Sequence, residues 1–425
     1  MNELIRQAAA LDAADRLAGF RSEFLLPTRK DGTPSVYLCG HSLGLQPRRT
    51  AGVIREELEV WAQHGVDGHF ESQRPWLSYH EQLSRGLATL AGAQPGEVAA
   101  MNSLTVNLHL MLISFYRPTP QRHRLVIEKR AFSSDRYAVV SQITQRGFDA
   151  ATSLVELQPR PGETTLRTED VCEFLTREGR SVATVMLPGV QYLTGQCFDM
   201  AAITACARHA GCTVGFDLAH AMGNVPLSLH EWNVDFAVWC GYKYLNAGPG
   251  ALGGCFVHER HARAFDLPRL AGWWGHDKAS RFTMPEDFLP LPGAEGWQLS
   301  NPSILAAAPL IASLDLFERA GQAQLHEKSL ALTAFLETQL RDRLGDSLTI
   351  LTPAAPAARG CQLSLRLHRE ATEARAVHTA LTAAGLVCDW REPDVIRVAP
   401  VPLYNTFRDV ADFVLALGAA LATAR

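Results

Sequence analysis

The sequence predicts an α/β protein: a mostly parallel sheet covered by helices, followed by a smaller α+β domain at the C-terminal end. Three observations carry that expectation. Short apolar runs alternate with helical patterns about ten residues long, which is the signature of βαβ units. Near residue 300 the style changes to two long helical stretches followed by short strands. The length, 425 residues, exceeds one small core and suggests two domains.

Taken in order, residues 1–50 show no sheet pattern of their own and are expected to pack on the second domain. Their start, MNELIRQAAALDAADRLAGF, is a mixed-charge helical pattern without a basic start and apolar run, so it is not read as a signal peptide. Residues 51–300 are expected to form the large domain. Ile54, Leu58 and Trp61 share a helix face. An apolar helix (104–116) precedes a strand (124–128), a helix (135–147) and a strand (153–157). A helix (168–179), a strand (182–188), a helix (200–211) and a strand (212–217) follow, and 235–240 and 254–258 extend the series. Residues 301–425 are expected to form the small domain, with helices at 303–319, 323–344 and 405–423 and the strand candidates LTIL, CQLSLRL and VIRVAP. The loop TPAAPAARG (352–360) reads as a flexible surface connection.

Apolar residues make up 47% and charged residues 20%, with a net charge of −4. That is an ordinary soluble composition, and no basic stripe argues for nucleic acid. No run approaches the length of a membrane span. Nine scattered cysteines without a C-x-x-C pair fit reduced thiols, mostly core fillers, in a cytoplasmic protein better than a disulfide framework or a zinc site.

Ligands of an open parallel sheet collect at the carboxyl ends of its strands. Asp217 and His220 stand just past one strand, Lys243 past another, and Phe132 and Asp135 past a third. Alone, Asp217 reads as a helix N-cap. Together with a lysine in WCGYKYLNAGPG it reads as part of a pyridoxal phosphate site. The lysine forms a Schiff base with the cofactor's aldehyde, and burial favours its free amine. A carboxylate against the ring nitrogen keeps the ring an electron sink. NSLTVN (102–107) opens a helix whose Leu104 and Thr105 amides, with the Thr105 hydroxyl, suit a phosphate. Phe132 can stack on the ring, Tyr242 can reach the phosphate, and His220 can orient Asp217.

Two other motifs are weaker. Gly248, Gly250 and Gly253 spell G-x-G-x-x-G, but the motif runs into a strand and not a helix, so a nicotinamide site is not expected. Tight turning and close backbone packing explain the glycines better. His258 and His261 in VHERH complete no metal pattern and read as a solvated turn; no metal is expected.

Several long blocks resemble the kynureninase family: YLCGHSLGLQP (37–47), MNSLTVNLHLML (101–112), residues 214–250, WWGH (273–276), LSNPSIL (299–305) and IRVAPVPLYN (396–405). The resemblance runs from about residue 35 to the end. It implies a fold-type I, aspartate aminotransferase-like pyridoxal 5'-phosphate enzyme, a homodimer with active sites at the subunit interface. Such an enzyme hydrolyses kynurenine or 3-hydroxykynurenine to alanine and an anthranilate. It implies that Lys243 carries the cofactor, that Asp217 pairs with the ring nitrogen, supported by His220, and that Leu104, Thr105 and Tyr242 hold the phosphate. Phe132 stacks on the ring, and Ser133, Ser134 and Asp135 belong to the same cofactor loop. Trp273 and Asn301 complete the pocket from the second subunit. Ser42 and Arg397 serve the substrate, Arg397 as a guanidinium fork for its carboxylate. Pro188 stands where some members of that family carry a serine, and proline offers neither hydroxyl nor N–H to a phosphate.

In the implied reaction Lys243 removes the Cα proton, water adds to the side-chain carbonyl, and the Cβ–Cγ bond breaks, with Tyr242 a late proton donor or relay. His69 and Asn301 lie in segments that wall the aryl pocket. Both can bond a ring hydroxyl, so a preference for 3-hydroxykynurenine is expected. The alternative is another fold-type I enzyme, an aminotransferase or a cysteine desulfurase-like lyase. The desulfurase needs a mobile cysteine, and Cys361, the one candidate, leads straight into an apolar strand. A binding module that kept the fold but lost the chemistry would lack the lysine or the acid, and both are present.

Overall fold

In the computed structural model, which describes residues 2–423, short apolar strands buried along nearly their whole length build a central seven-stranded sheet. Its strands are β1 (Val98–Ala100), β2 (Arg124–Glu128), β3 (Leu154–Leu157), β4 (Val182–Pro188), β5 (Thr213–Asp217), β6 (Phe236–Trp239) and β7 (Gly254–Val257). In space they run β1-β7-β6-β5-β4-β2-β3. Strands β2 to β6 are mutually parallel. Strand β7 runs against both β1 and β6, so the sheet is mixed at that side. The cause is local: a parallel neighbour needs a long crossover, usually helical. The chain between β6 and β7 contains no helix and simply returns. Lys243 lies on that return.

Three helices, α1 (Asn2–Ala14), α2 (Thr50–His64) and α3 (Tyr79–Ala91), precede the sheet in the chain. Both faces of the sheet are buried, as parallel strands require. Leu125 and Ile127 face a core with Leu108, Met111 and Phe115 of α4 (Leu104–Phe115) and with Val139 and Ile143 of α5 (Ser133–Gln145). Val126 between them faces the opposite core, which takes in α6 (Thr168–Glu178) and α7 (Met200–His209). Two long helices, α8 (Ile304–Ala320) and α9 (Gln322–Leu344), then lead to a four-stranded sheet. Its strands are β8 (Leu348–Ile350), β9 (Leu363–Leu367), β10 (Asp389–Arg391) and β11 (Val395–Val398), in the order β8-β9-β11-β10. Leu363, Leu365 and Leu367 alternate into a second core with Ile396, Val398 and the last helix, α10 (Phe407–Thr423).

The first fifty residues join both cores. Leu4 and Ala8 pack with the second, and Leu17, Phe24 and Leu45 with the first. Val36–Tyr37 pairs in parallel with Leu386–Val387 beside the small sheet. Among the described residues no helix is long and apolar enough to cross a membrane.

Three expectations are corrected. The 352–360 loop is a tie and not a free connection: Arg359 is buried and bonds Glu337, and the Ala358 carbonyl accepts from Cys197 N–H at 2.8 Å. Cys172 of α6 and Cys206 of α7 form a disulfide across a separation of 34 residues, which no local spacing signals. The His258–His261 turn is structural and not solvated. His258 is buried, and His261 Nε2 lies 2.8 Å from Asp235 Oδ1.

Asp235 joins that turn to the sheet, because it also accepts the Val214 N–H at 2.8 Å and the Arg260 guanidinium at 2.5 Å. Removing Asp235 leaves the buried Val214 N–H without its acceptor and the Arg260 guanidinium without its carboxylate, at a cost of about 1–3 kcal/mol. Asp235→Ala is expected to lower the urea unfolding midpoint accordingly. An unchanged midpoint would show that the cluster is dispensable.

Candidate active site

The carboxyl ends of β2, β4, β5 and β6 open on one pocket. It is lined by Leu104, Thr105, Glu128, Phe132, Ser134, Asp135, Pro188, Tyr192, Asp217, His220, Tyr242 and Lys243. Each arrives on a short segment that leaves the sheet. Glu128 is the last residue of β2, Pro188 of β4 and Asp217 of β5, and the last two are register partners. The loops just past the strands contain Asn102, Arg130 and Asn246 at positive φ of 49°, 65° and 53°. Non-glycine residues in that region are uncommon and concentrate where a site demands them.

Local bonds fix these loops. Asn107 of α4 holds the Met101 carbonyl at 2.9 Å and accepts from Asn102 at 3.0 Å, which sets the start of the helix. Leu104 and Thr105 are its first two residues, where backbone N–H groups have no helical acceptor. The Thr105 and Ser134 hydroxyls are 2.8 Å apart, which joins the starts of α4 and α5 at one point. Gly44, in the CGHSLG segment, packs on the backbone beneath Lys243: a Cβ there would lie 2.3 Å from the Lys243 carbonyl oxygen. The amine of Lys243 stands 5.9 Å from the Phe132 ring centre and 5.8 Å from that of Tyr242.

Electrostatics define the pocket. Asp217 accepts the Ala219 N–H at 2.6 Å within a turn, with no helix after it to cap, and it is buried beside Asp135 and Glu128. Burial raises the Asp217 carboxyl. Burial, then Asp217 and Glu128, raise Asp135 well above the carboxylate range. Burial pushes Glu128 up to about 8. Three carboxyl groups thus face a single amine. Burial, then Lys243 and Arg397, hold His220 far below the usual imidazole range, so it is neutral. Its Nδ1 and the Asp135 Oδ1 have no hydrogen-bond partner. His220 makes no hydrogen bond to Asp217; its ring lies 6.4 Å from that of His41. A flat, cationic heterocycle carrying a phosphate fits this donor set. It would bring positive charge to the carboxyl groups, offer partners to the orphaned atoms, and set its phosphate against Thr105 and Ser134 at the starts of α4 and α5.

Arg397 of β11 is only 1% exposed and reaches the pocket wall, where it bonds the Tyr192 carbonyl and the Asp389 carboxylate and lies 3.4 Å from Ser42 Oγ. Other candidates lie elsewhere in the single chain. Ser133 is exposed at the start of α5. Asn301 is exposed, and Trp273 is 43% exposed, with its indole N–H on the Arg281 carbonyl. His69 bonds the Val66 carbonyl at 3.0 Å. His69, Phe70, Phe282 and Trp273 belong to one chain of neighbouring aromatic rings. Glu128, Tyr192, His41 and Asp389 were missed. The strand-end rule could have found Glu128; the others depend on register and loop placement. Cys361 is buried, and burial pushes its thiol up to about 12, so it is a core residue.

The folding pattern is that of fold-type I pyridoxal phosphate enzymes. The cystine C–S lyase C-DES aligns with a TM-score of 0.75 at 18% identity, covering 90% of this chain and 97% of that one. The Escherichia coli cysteine desulfurase CsdA aligns with a TM-score of 0.76 at 19% identity, covering 96% and 98%. At that identity the likeness speaks for the fold alone. A family model described as the kynureninase C-terminal domain matches residues 325–417. Kynureninases of Koribacter versatilis and Myxococcus xanthus are 55% and 57% identical; the first alignment covers 96% of this chain and 95% of that protein, and the second 96% of each. The chain belongs to the kynureninase family.

Glu128 gives a pH test on the cofactor-free protein. Its folded carboxyl titrates near 8, above its unfolded value. The folded state therefore binds the proton more tightly, and this group's stabilisation is lost as pH rises towards 8. Glu128→Gln should raise the melting temperature relative to the parent at pH 8 by about 2–4 °C more than at pH 5. An equal difference at both pH values would contradict this.

Proposed function

We propose that the protein binds pyridoxal 5'-phosphate on Lys243 and hydrolyses the Cβ–Cγ bond of a kynurenine, releasing alanine and an anthranilate. The observation that carries this reading is the junction of Lys243, buried Asp217 and the hydrogen-bonded Thr105–Ser134 pair in one pocket. Family membership over almost the whole chain supports it. When bound, the cofactor supplies an electron sink conjugated to the substrate's Cα. Asp217 holds a proton at the ring nitrogen, and Asp135 beside it sustains that charge. Leu104, Thr105, Ser134 and Tyr242 hold the phosphate, and Phe132 lies against the ring. Pro188 adds no hydroxyl, and the Ser134 hydroxyl supports the phosphate contact in its stead.

Arg397 takes the substrate carboxylate, with Ser42 beside it. Lys243 removes the Cα proton. Water adds to the γ-carbonyl, and Tyr242, whose phenol burial pushes above its ordinary range, stays protonated and donates late in the sequence. Residues 51–300 act as the cofactor-binding unit, residues 301–425 bring Arg397, and residues 1–50 join the two. The working form is a homodimer in which Trp273, His69 and Asn301 serve the second subunit's pocket. The exposure of Trp273 and Asn301 in the single chain, with half-buried His69 next to exposed Phe70 and Phe282, supports this. His69 and Asn301 bond the ring hydroxyl of 3-hydroxykynurenine, the favoured substrate.

Release of fluorescent anthranilates from kynurenine and 3-hydroxykynurenine tests the reading. Lys243→Ala should lose essentially all turnover, a drop of at least about 10³-fold. Turnover of neither substrate by cofactor-loaded parent protein would overturn it and favour another fold-type I activity; buried Cys361 argues against a desulfurase.

His69→Ala should lower kcat/KM for 3-hydroxykynurenine by about tenfold while sparing kynurenine, the scale of one lost hydrogen bond. Equal losses on both substrates would remove His69 from hydroxyl recognition.

A further inference from the structure

Arg397 does not wait empty. Asp389 stands directly opposite it across the β10–β11 register, and the carboxylate occupies its guanidinium. One oxygen, Asp389 Oδ2, gathers the whole cluster: the Ser42 hydroxyl donates to it at 2.6 Å, Arg391 Nη2 at 3.1 Å, and Arg397 Nη2 also donates to it. His41 Nε2 lies 3.5 Å away. Burial would raise the Asp389 carboxyl, but His41, Arg397 and Ser42 outweigh it, so the group stays ionised. Burial and Arg397 drop His41 to about 3, so its imidazole is neutral. Two guanidiniums therefore share one carboxylate, and the cluster holds a net positive charge.

That arithmetic calls for a second anion. Cys39, His41 and Asp389 come close enough together to suggest a cation site, but the two guanidiniums on the same carboxylate disfavour one. Arg397 keeps a buried Nε with no partner, and Arg391 does too. Tyr192, whose carbonyl anchors Arg397, lines the pocket of Lys243 and lies edge-on to Phe132 at 5.3 Å. The unfilled anion position thus borders the pocket. Asp389 also has somewhere to go. Strand β10 lies at the edge of its sheet, and Arg391, with its side chain 37% exposed, already holds the same carboxylate oxygen.

We propose that Asp389 is an internal stand-in for the substrate's carboxylate: it holds the Arg397 fork while the site is empty and passes to Arg391 and Ser42 when an α-amino acid enters. This rests on the reading of Arg397 as the carboxylate seat. As a positioning residue, Asp389 prevents two like-charged guanidiniums from parting or binding stray anions. It also makes entry an exchange that only a ligand carrying its own carboxylate can complete.

The test uses the cofactor-loaded protein and the cofactor's visible absorbance to follow titration with L-alanine and with L-alaninamide, which lacks the carboxylate. Asp389→Asn, which removes the competing charge but keeps the shape, should bind L-alanine about tenfold more tightly and leave L-alaninamide unchanged. KM for the turned-over substrate should fall with kcat retained. Unchanged or weaker L-alanine binding would overturn the proposal and make Asp389 a structural anchor. Arg391→Gln, which leaves Asp389 nowhere to pass, should weaken L-alanine about fivefold and spare the amide; no change there would overturn it independently of whether the first variant folds. Arg397→Ala separates the layers. A lost preference for L-alanine over its amide supports the seat, and a retained preference would overturn the proposal by removing the reading beneath it.

Discussion

A surplus of buried negative charge at the carboxyl edge of the sheet is the constraint on which the site depends. Glu128, Asp135 and Asp217 are carried there by strand ends and one helix start, and a single lysine faces them. Isolated carboxylates do not survive burial; they take up protons or find cations. The raised carboxyls of Glu128 and Asp135 show the first response. A cationic ring offers the second, so the protein's electrostatics ask for the kind of group that its chemistry requires. The rest of the architecture holds these charges together: the parallel strands β2 to β6 bring their carboxyl ends to one edge, and Gly44 seats the N-terminal segment on the backbone of Lys243.

The small sheet complements this arrangement. The cofactor pocket is short of positive charge, whereas the cluster of Arg391, Arg397 and Asp389 has an excess of it. An amino acid lying between them would have Lys243 at one end and guanidinium at the other. The bond of the Ala358 carbonyl to Cys197 N–H, together with the N-terminal segment that enters both cores, fixes the separation of the two.

Much of this was legible in the sequence because it obeys local rules. Strands of the large sheet are short apolar runs, so their ends, and with them Asp217, could be counted out. Thr105 was found because NSLTVN opens a helix. The Gly248–Gly253 motif leads into a strand as its sequence indicates: Gly248 and Gly250 take positive φ in a turn, and a Cβ on Gly253 would strike the Trp239 carbonyl. What stayed hidden depends on long-range placement. No periodicity reveals that Asp389 sits opposite Arg397, that Cys172 meets Cys206, or that β7 reverses. His220 was expected to support Asp217, yet the closer companion is Asp135, brought by a different helix. Trp273 and Asn301 stay exposed and His69 half-buried in one chain, and no local pattern tells what they face.

The most direct test of the central claim is chemical. The protein loaded with pyridoxal 5'-phosphate is reduced with borohydride, digested, and its peptides are mapped by mass. A single pyridoxyl adduct on the peptide containing Lys243 would establish that this lysine holds the cofactor among the buried acids. An adduct on another lysine, or none despite full loading, would contradict the assignment of the pocket.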